Sequence, residues 1–354
     1  MKPLFCPALL REQLKRFWAI AALTMLFYML FVFLPIYSSD GITQARDMAS
    51  LLSSGGAANV ALFIAPFAAV ISLFSYLFSP SATTFFHALP TNKNQLLCTN
   101  MLAGFILTLM PLIALCLLIL IPIYAPMEAD LPSWQSLPWI NGYRLTEGEL
   151  INTVSRVAAF FLQSAIVTIS FFVLFVLAAT LAGTGAIAII LCVFLPFLPA
   201  TVYGVIYMFA VEHFAFSFYN DHEVWRFFDD FFMTLDWGAL ALRTAILLPI
   251  THFCYHKRRL ERTGDTIVFH PFKNFLIFLF SVWGMILMGT AFEWMFGDNA
   301  VYLGFVLGFP TAFIILQMIM EKTFQIRHKF SSLLTFGGIA AALYFVLFII
   351  SLIT

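Results

Sequence analysis

Charged residues are scarce in this sequence, and their scarcity excludes an ordinary water-soluble fold. Of 354 residues, 10% are charged and 62% are hydrophobic, with 43 phenylalanines. A soluble domain carries roughly 25% charged and 45–50% apolar residues, because its surface has to face water. So much phenylalanine and leucine requires a bilayer to cover it.

The motifs of common catalytic sites are also missing. No G-x-x-x-x-G-K-[ST] sequence is present, so the chain has no phosphate-binding loop with which to hydrolyse ATP by itself. G-x-S-x-G and H-E-x-x-H are absent too, which removes the commoner signatures of membrane-bound hydrolases. We therefore expect a protein that is not an enzyme, has no catalytic residue and binds no cofactor of its own.

Cysteine is rare and gives no indication of a disulfide framework. The five cysteines are odd in number and fall in apolar runs or on the side predicted to be cytoplasmic, where thiols stay reduced. We interpret them as small packing residues. They are Cys6, Cys98, Cys116, Cys192 and Cys254.

Long apolar runs, in contrast, are abundant. A spanning helix needs about 20 mostly apolar residues to cross roughly 30 Å of hydrocarbon with its backbone hydrogen bonds satisfied. The sequence predicts an all-α, polytopic membrane protein with about nine transmembrane helices. The spans lie near 17–36, 59–78, 97–124, 156–182, 186–212, 238–255, 274–293, 301–321 and 331–353.

Basic residues set the expected orientation in the plasma membrane. A cytoplasmic N-terminus places 13 of the 18 basic residues inside, which is the bias that orients multi-pass proteins. The C-terminus is then predicted outside. The inside residues are Lys2, Arg11, Lys15, Arg16, Lys93, Lys257, Arg258, Arg259, Arg262, Lys273, Lys322, Arg327 and Lys329.

Two segments have an amphipathic pattern outside the spans. Leu4 to Phe17 places leucines opposite Arg11, Lys15 and Arg16, which predicts a helix on the inner leaflet, or else a basic flank that sets topology. The outer loop 213–237 alternates aromatic and acidic residues and predicts re-entrant or interfacial helices, or else an aromatic belt. Its candidate outer gate consists of Phe227, Phe228, Phe231 and Phe232.

Few ionisable residues lie at membrane depth, and none lies at the centre of a predicted span. Glu212 and Arg243 fall near the outer ends of consecutive spans, and we expect them to form an ion pair. The empty midplane disfavours a secondary transporter driven by protons or ions.

One spacing resembles a metal site. On a helix, His252 and His256 share a face, whereas Cys254 points away, so at most two of the three could bind one ion. We predict no metal site and place His256 with Lys257, Arg258 and Arg259 at the lipid headgroups.

Two segments resemble a known family. The sequence from Ser81 to Leu96 contains H-A-L-P and a polar turn, and it precedes Leu102-Ala103-Gly104. The sequence from Tyr255 to Asp265 is similar to Y-x-x-R-x-x-E-x-A-G-[DE], with Thr263 in place of alanine. Together they resemble ABC type-2 transporter permeases of the YtrC/YtrD-like branch of Gram-positive bacteria, similar to exporters of phenol-soluble modulins.

The resemblance implies the transmembrane subunit of an ATP-driven exporter of hydrophobic or amphipathic molecules such as peptide toxins or drugs. It implies a six-span core over 1–255, with a coupling loop at 81–96, and a basic loop with further spans over 256–354. The alternative is a membrane sensor or immunity protein that binds antimicrobial peptides without transport. The segment that would contact the ATPase is His87, Ala88, Leu89, Pro90, Thr91 and Asn92.

The same resemblance implies the partners. ATP and Mg²⁺ would bind to a separate ABC ATPase subunit, and a second permease copy would complete a homodimer or heterodimer. Membrane lipids surround the spans, and no nucleic acid is expected.

Overall fold

The computed structural model describes residues 5–34, 57–88, 92–124, 147–198, 202, 237–258, 264–297, 300–322 and 330–353. These residues are almost entirely helical, and no β-strand occurs among them. The helices, in chain order, are α1 (Pro7–Tyr28), α2 (Ala57–Leu73), α3 (Pro80–Ala88), α4 (Lys93–Tyr124), α5 (Glu147–Leu181), α6 (Gly185–Phe194), α7 (Trp237–Lys257), α8 (His270–Phe296), α9 (Val301–Glu321) and α10 (Phe330–Ile353). The predicted all-α class is confirmed for this part of the chain.

Several helices fit a multi-pass membrane protein. Within the described residues, five are long and apolar enough to cross a membrane, and three further apolar helices are shorter. Nine crossings and the orientation of the termini therefore stay predictions. The five are Pro7–Phe31, Lys93–Ile119, Val157–Leu181, His270–Phe296 and Tyr302–Glu321, and the shorter ones are Leu62–Leu73, Gly185–Phe197 and Ser331–Ala342.

The first helix differs from the sequence-based expectation. The stretch from Leu4 to Phe17 is predicted to form a separate helix before the first span. In the structure, α1 continues without a break through this point to Tyr28, and a π-helical turn, Met29–Phe33, follows it. The basic residues Arg11, Lys15 and Arg16 thus belong to the same helix as the apolar run.

The chain divides into two compact units, and the first comprises Met1–Thr180 with Leu235–Lys257. Its apolar core joins α1, α2, α4, α5 and α7 around the buried residues Tyr28, Leu62, Leu115, Val157 and Leu240. Phenylalanines of α2 and α5 add edge-to-face contacts, such as Phe63 with Phe175 at 5.0 Å between ring centroids.

The L-A-G sequence of the family resemblance takes part in this packing. Ala103 is fully buried, and an added Cβ on Gly104 would lie 2.2 Å from the ring of Phe172. The glycine thus lets α4 approach α5 closely. The motif has a packing role here.

The second unit comprises Leu181–Thr234 with Arg258–Thr354. Here α8 and α9 pack with their backbones in contact, because glycines face each other. An added Cβ on Gly304 would lie 2.6 Å from the carbonyl oxygen of Met288, and one on Gly308 would lie 2.9 Å from that of Gly284. Phe305 and Phe309 of α9 complete a small core to which α10 contributes Phe336.

Candidate functional site

The short helix α3 lies in the loop that resembles the coupling segment of ABC permeases. Ser79 precedes it, and Pro80 opens it, a residue whose fixed φ suits the first turn of a helix. Thr83 Oγ1 donates to the carbonyl oxygens of Tyr76, at 2.7 Å, and Ser79, at 2.8 Å. Thr83 is 1% exposed, so these bonds hold α3 to the 3₁₀ turn Ser75–Phe78 before it.

That turn is itself held to the end of α7. The hydroxyl oxygens of Tyr76 and Tyr255 lie 2.9 Å apart, and each tyrosine is 3% exposed. The ring of Phe86 packs on Tyr76 with 4.7 Å between centroids. The end of α2, helix α3 and the end of α7 are therefore connected through one buried tyrosine pair.

The opposite side of α3 presents an aromatic side chain. Phe85 is 65% exposed, although it touches the ring of Phe86 edge-on at 5.7 Å. Ala88, the last residue of the helix, is also exposed. An exposed phenylalanine on an anchored short helix is a typical anchor for a protein partner.

The predicted ATPase contact is described only in part. His87 and Ala88 form the end of α3, whereas Leu89, Pro90 and Thr91 lie outside the described residues. Asn92 stands before α4, and its backbone N–H donates to Gln95 Oε1 at 3.1 Å. The assignment of this segment to the ATPase stays a prediction.

At the beginning of α4, two histidines of α7 meet an asparagine. His252 Nε2 lies 3.1 Å from Asn94 Oδ1, and His256 Nε2 contacts the same oxygen. Partial burial, together with electrostatic interaction with His252 and Lys93, lowers the pKa of the His256 imidazole. Its neutral form is therefore favoured near neutral pH.

Arg243 has a partner that sequence reasoning missed. Its Nη2 and Nε donate to Ser170 Oγ at 3.0 and 3.3 Å, and its guanidinium lies 5.9 Å from the ring centroid of Phe171. Ser170 is near the middle of the span predicted at 156–182, so the charge is held deeper than expected. Glu212 lies outside the described residues, and the ion pair stays a prediction.

The candidate outer gate is not described. Phe227, Phe228, Phe231 and Phe232 all fall in the part of the chain beyond the described ranges, as does nearly all of the loop 213–237. Their role at the outer surface stays a prediction.

Residues 264–267, at and just after the end of the second resembling segment, form a turn against the end of α5 within the second unit. Arg258 is 3% exposed and donates from Nη1 to the carbonyl oxygen of Ala182 at 2.8 Å. The guanidinium thus contacts a buried backbone oxygen, and the placement of Arg258 at the level of the headgroups stays a prediction. An antiparallel bridge pairs Ala182 with Ile267, and the N–H of Gly264 donates to the carbonyl of Gly183 at 2.9 Å.

Glycines make this turn possible. Gly264 has φ of +109°, a backbone conformation that residues other than glycine rarely adopt. An added Cβ on Gly183 would lie 2.0 Å from the carbonyl oxygen of Asp265. The turn is tied to the end of α9, since Thr266 Oγ1 donates to the carbonyl of Met320 at 2.7 Å and Lys322 Nζ to that of Gly264 at 3.0 Å.

Comparisons with family models, with curated proteins and with solved structures found no match to this chain.

Proposed function

We propose that this chain is the transmembrane subunit of an ATP-driven exporter and that α3 docks on a separate ATPase chain. The observation that carries the proposal is Phe85, which is 65% exposed on a helix that is held from behind by buried hydrogen bonds. A helix that docks on another protein requires a fixed position and an exposed apolar side chain, and α3 has both.

The anchoring also supports a mechanical role. A push on α3 would pass through Thr83 to Tyr76 and through the tyrosine pair to Tyr255 at the end of α7. A helix that moves with the ends of two apolar helices can transmit closure of an ATPase to the membrane. Resemblance to ABC permeases adds the identity of that ATPase, which would hold ATP and Mg²⁺, and the expectation of a second permease copy.

The proposed substrate is a hydrophobic or amphipathic molecule. Apolar and aromatic side chains dominate the described spans, and such walls suit ligands without fixed charge. Arg243 is held by Ser170 and Phe171 and would contribute one cationic site beside the aromatic cluster of α2 and α5. Resemblance supplies the direction, from the cytoplasm or inner leaflet outward, past the loop at 213–237.

The decisive experiment replaces Phe85 with Asp in protein reconstituted with the ABC ATPase that co-purifies from native membranes. An intact pair should hydrolyse ATP faster with helical amphipathic peptides than with sugars or amino acids, and Phe85→Asp should abolish this stimulation while the membrane part stays folded. Thr84→Asp is the matched control, because it adds the same charge to an exposed position of α3 and keeps the aromatic ring.

Two results would count against the proposal. Normal peptide-stimulated hydrolysis by Phe85→Asp would exclude α3 as the docking element. Tight peptide binding with no associated ATPase would instead favour the sensor or immunity protein. Replacing Phe227 and Phe228 with Ala should alter export or leak if the outer loop is the gate.

A further inference from the structure

The amide oxygen of Asn94 lies between two imidazole rings. His252 and His256 are one turn apart on α7, their ring centroids are 4.6 Å apart, and both Nε2 atoms contact Asn94 Oδ1. We propose, in place of the expectation from the sequence that no metal site is present, that these three side chains form a binding site for a divalent transition-metal ion such as Zn²⁺. This inference goes beyond export and does not depend on it.

Helix geometry brings the two nitrogen ligands together. Residues four apart lie on the same face of a helix, which is why an i, i+4 histidine pair binds zinc in other helical sites. Here both imidazoles direct the same nitrogen, Nε2, to one point.

The third ligand comes from another helix, α4. Tetrahedral ligands about 2.0–2.1 Å from a zinc ion stand roughly 3.3 Å from one another. The separation of His252 Nε2 and Asn94 Oδ1 is 3.1 Å, close to this value, whereas His256 Nε2 lies closer to the same oxygen, so the Asn94 amide has to move away from His256 when an ion binds. Asn94 is an exposed side chain, so it can adjust when an ion enters between the three atoms.

The ligand types select the class of ion. Imidazole nitrogen suits zinc, copper and nickel, whereas magnesium and calcium prefer sites made of oxygen alone. Because His252 and Asn94 are both exposed, water can occupy the fourth position. Lys93 is close enough to influence His256, and its positive charge works against the ion. We therefore infer a reversible site of moderate affinity.

Binding would have a structural consequence within this unit. Asn94 belongs to the first turn of α4, and the histidines belong to the last two turns of α7. An ion shared by these residues would fix the beginning of the helix that follows α3 to the end of α7. It would add a second connection beside the tyrosine pair.

The test uses the full-length protein in detergent, purified without a polyhistidine tag. Zn²⁺ affinity is measured by competition with a chromogenic chelator, and thermal unfolding is followed with and without Zn²⁺. The wild type should bind one ion and unfold at a higher temperature with it. His252→Gln and His256→Gln should each weaken binding by at least about tenfold. Loss of a residue that only hydrogen-bonds to a metal ligand already lowers metal affinity by about that factor, and loss of the ligand itself should lower it at least as much.

Substitution of Asn94 provides a test that does not rely on loss of function. Asn94→Asp replaces a neutral oxygen ligand with a carboxylate and should tighten Zn²⁺ binding. Asn92→Asp is the matched control, since it adds the same charge two residues away at an exposed position. Lys93→Gln should also tighten binding, and His270→Gln, at an exposed histidine on another helix, should leave it unchanged.

Two outcomes would overturn the proposal. One is Zn²⁺ binding by the wild type that is no tighter than that of the double variant His252→Gln, His256→Gln. The other is equal affinity in Asn94→Asp and Asn92→Asp, which would mean that the three side chains only share hydrogen bonds.

Discussion

The hydroxyl groups of Tyr76 and Tyr255, 179 positions apart in the sequence, share a hydrogen bond of 2.9 Å in a buried position. Tyr255 is the first residue of the segment that resembles the basic loop of ABC permeases, and Tyr76 lies in the 3₁₀ turn that precedes the coupling-like helix. The bond thus joins the turn before one resembling segment to the beginning of the other. Its strength can be measured directly.

We predict non-additive losses of stability when this pair is removed. Tyr76→Phe or Tyr255→Phe removes one hydroxyl of a buried hydrogen bond and should lower the free energy of unfolding by about 1–3 kcal/mol. The double variant should lose less than the sum of the two, and a double-mutant cycle by thermal unfolding in detergent measures the difference. Tyr302→Phe, at a 62% exposed tyrosine, is the control. Additive losses would show that the hydroxyls do not interact.

The turn after α5 should not tolerate a methyl group. Gly183→Ala places a Cβ against the backbone oxygen of Asp265, which no side-chain rotation can relieve, and should destabilise the fold by roughly 1–3 kcal/mol. Gly338→Ala is the control, because nothing lies within 4 Å of its added Cβ. A similar unfolding temperature for the two variants would contradict the observed turn.

Arg243 offers a choice between two partners. Ser170→Ala should lower stability and should show coupling to Arg243→Gln, because it removes the hydrogen-bond acceptor of a partly buried guanidinium. A second cycle with Glu212→Gln tests the ion pair expected from the sequence. Coupling in the first cycle alone would assign Arg243 to Ser170 and exclude the acidic partner.

The orientation can be tested by cysteine labelling. In a variant that lacks the native cysteines, new cysteines at Ser133 and Asp298 should react with an impermeant reagent from outside. Those at Asn92 and Thr263 should react only after permeabilisation. Reaction of the Asn92 position in intact cells would reverse the predicted topology and remove α3 from any cytoplasmic ATPase.

Helices with strong apolar runs were the part of the fold that could be predicted from the sequence. The span expected at 301–321 coincides with α9, and that expected at 238–255 differs from α7 by one or two residues at each end. Apolar length says little about the beginnings of helices, however. Polar residues continue α1, α5 and α8 beyond the predicted spans because helical backbone hydrogen bonds also form in an aqueous or interfacial environment.

The site was harder to predict, because its contacts join distant segments. Nothing local to Asn94 indicates that it meets His252, and nothing near Tyr76 points to Tyr255. Arg258 shows the same limitation, since nothing in a run of basic residues indicates that one of them donates to the carbonyl of Ala182. The local sequence pattern therefore identifies candidate site residues but not which distant residues they contact.

The glycine contacts between α8 and α9 have a mechanical consequence. Where side chains separate two helices, rotamer changes allow them to slide; where Gly304 and Gly308 place backbone directly on backbone, a small shift produces a clash. Helices α8 and α9 should therefore move together as one rigid body during any conformational change. A spectroscopic probe attached to exposed Tyr302 or Met295 would report the motion of both helices at once.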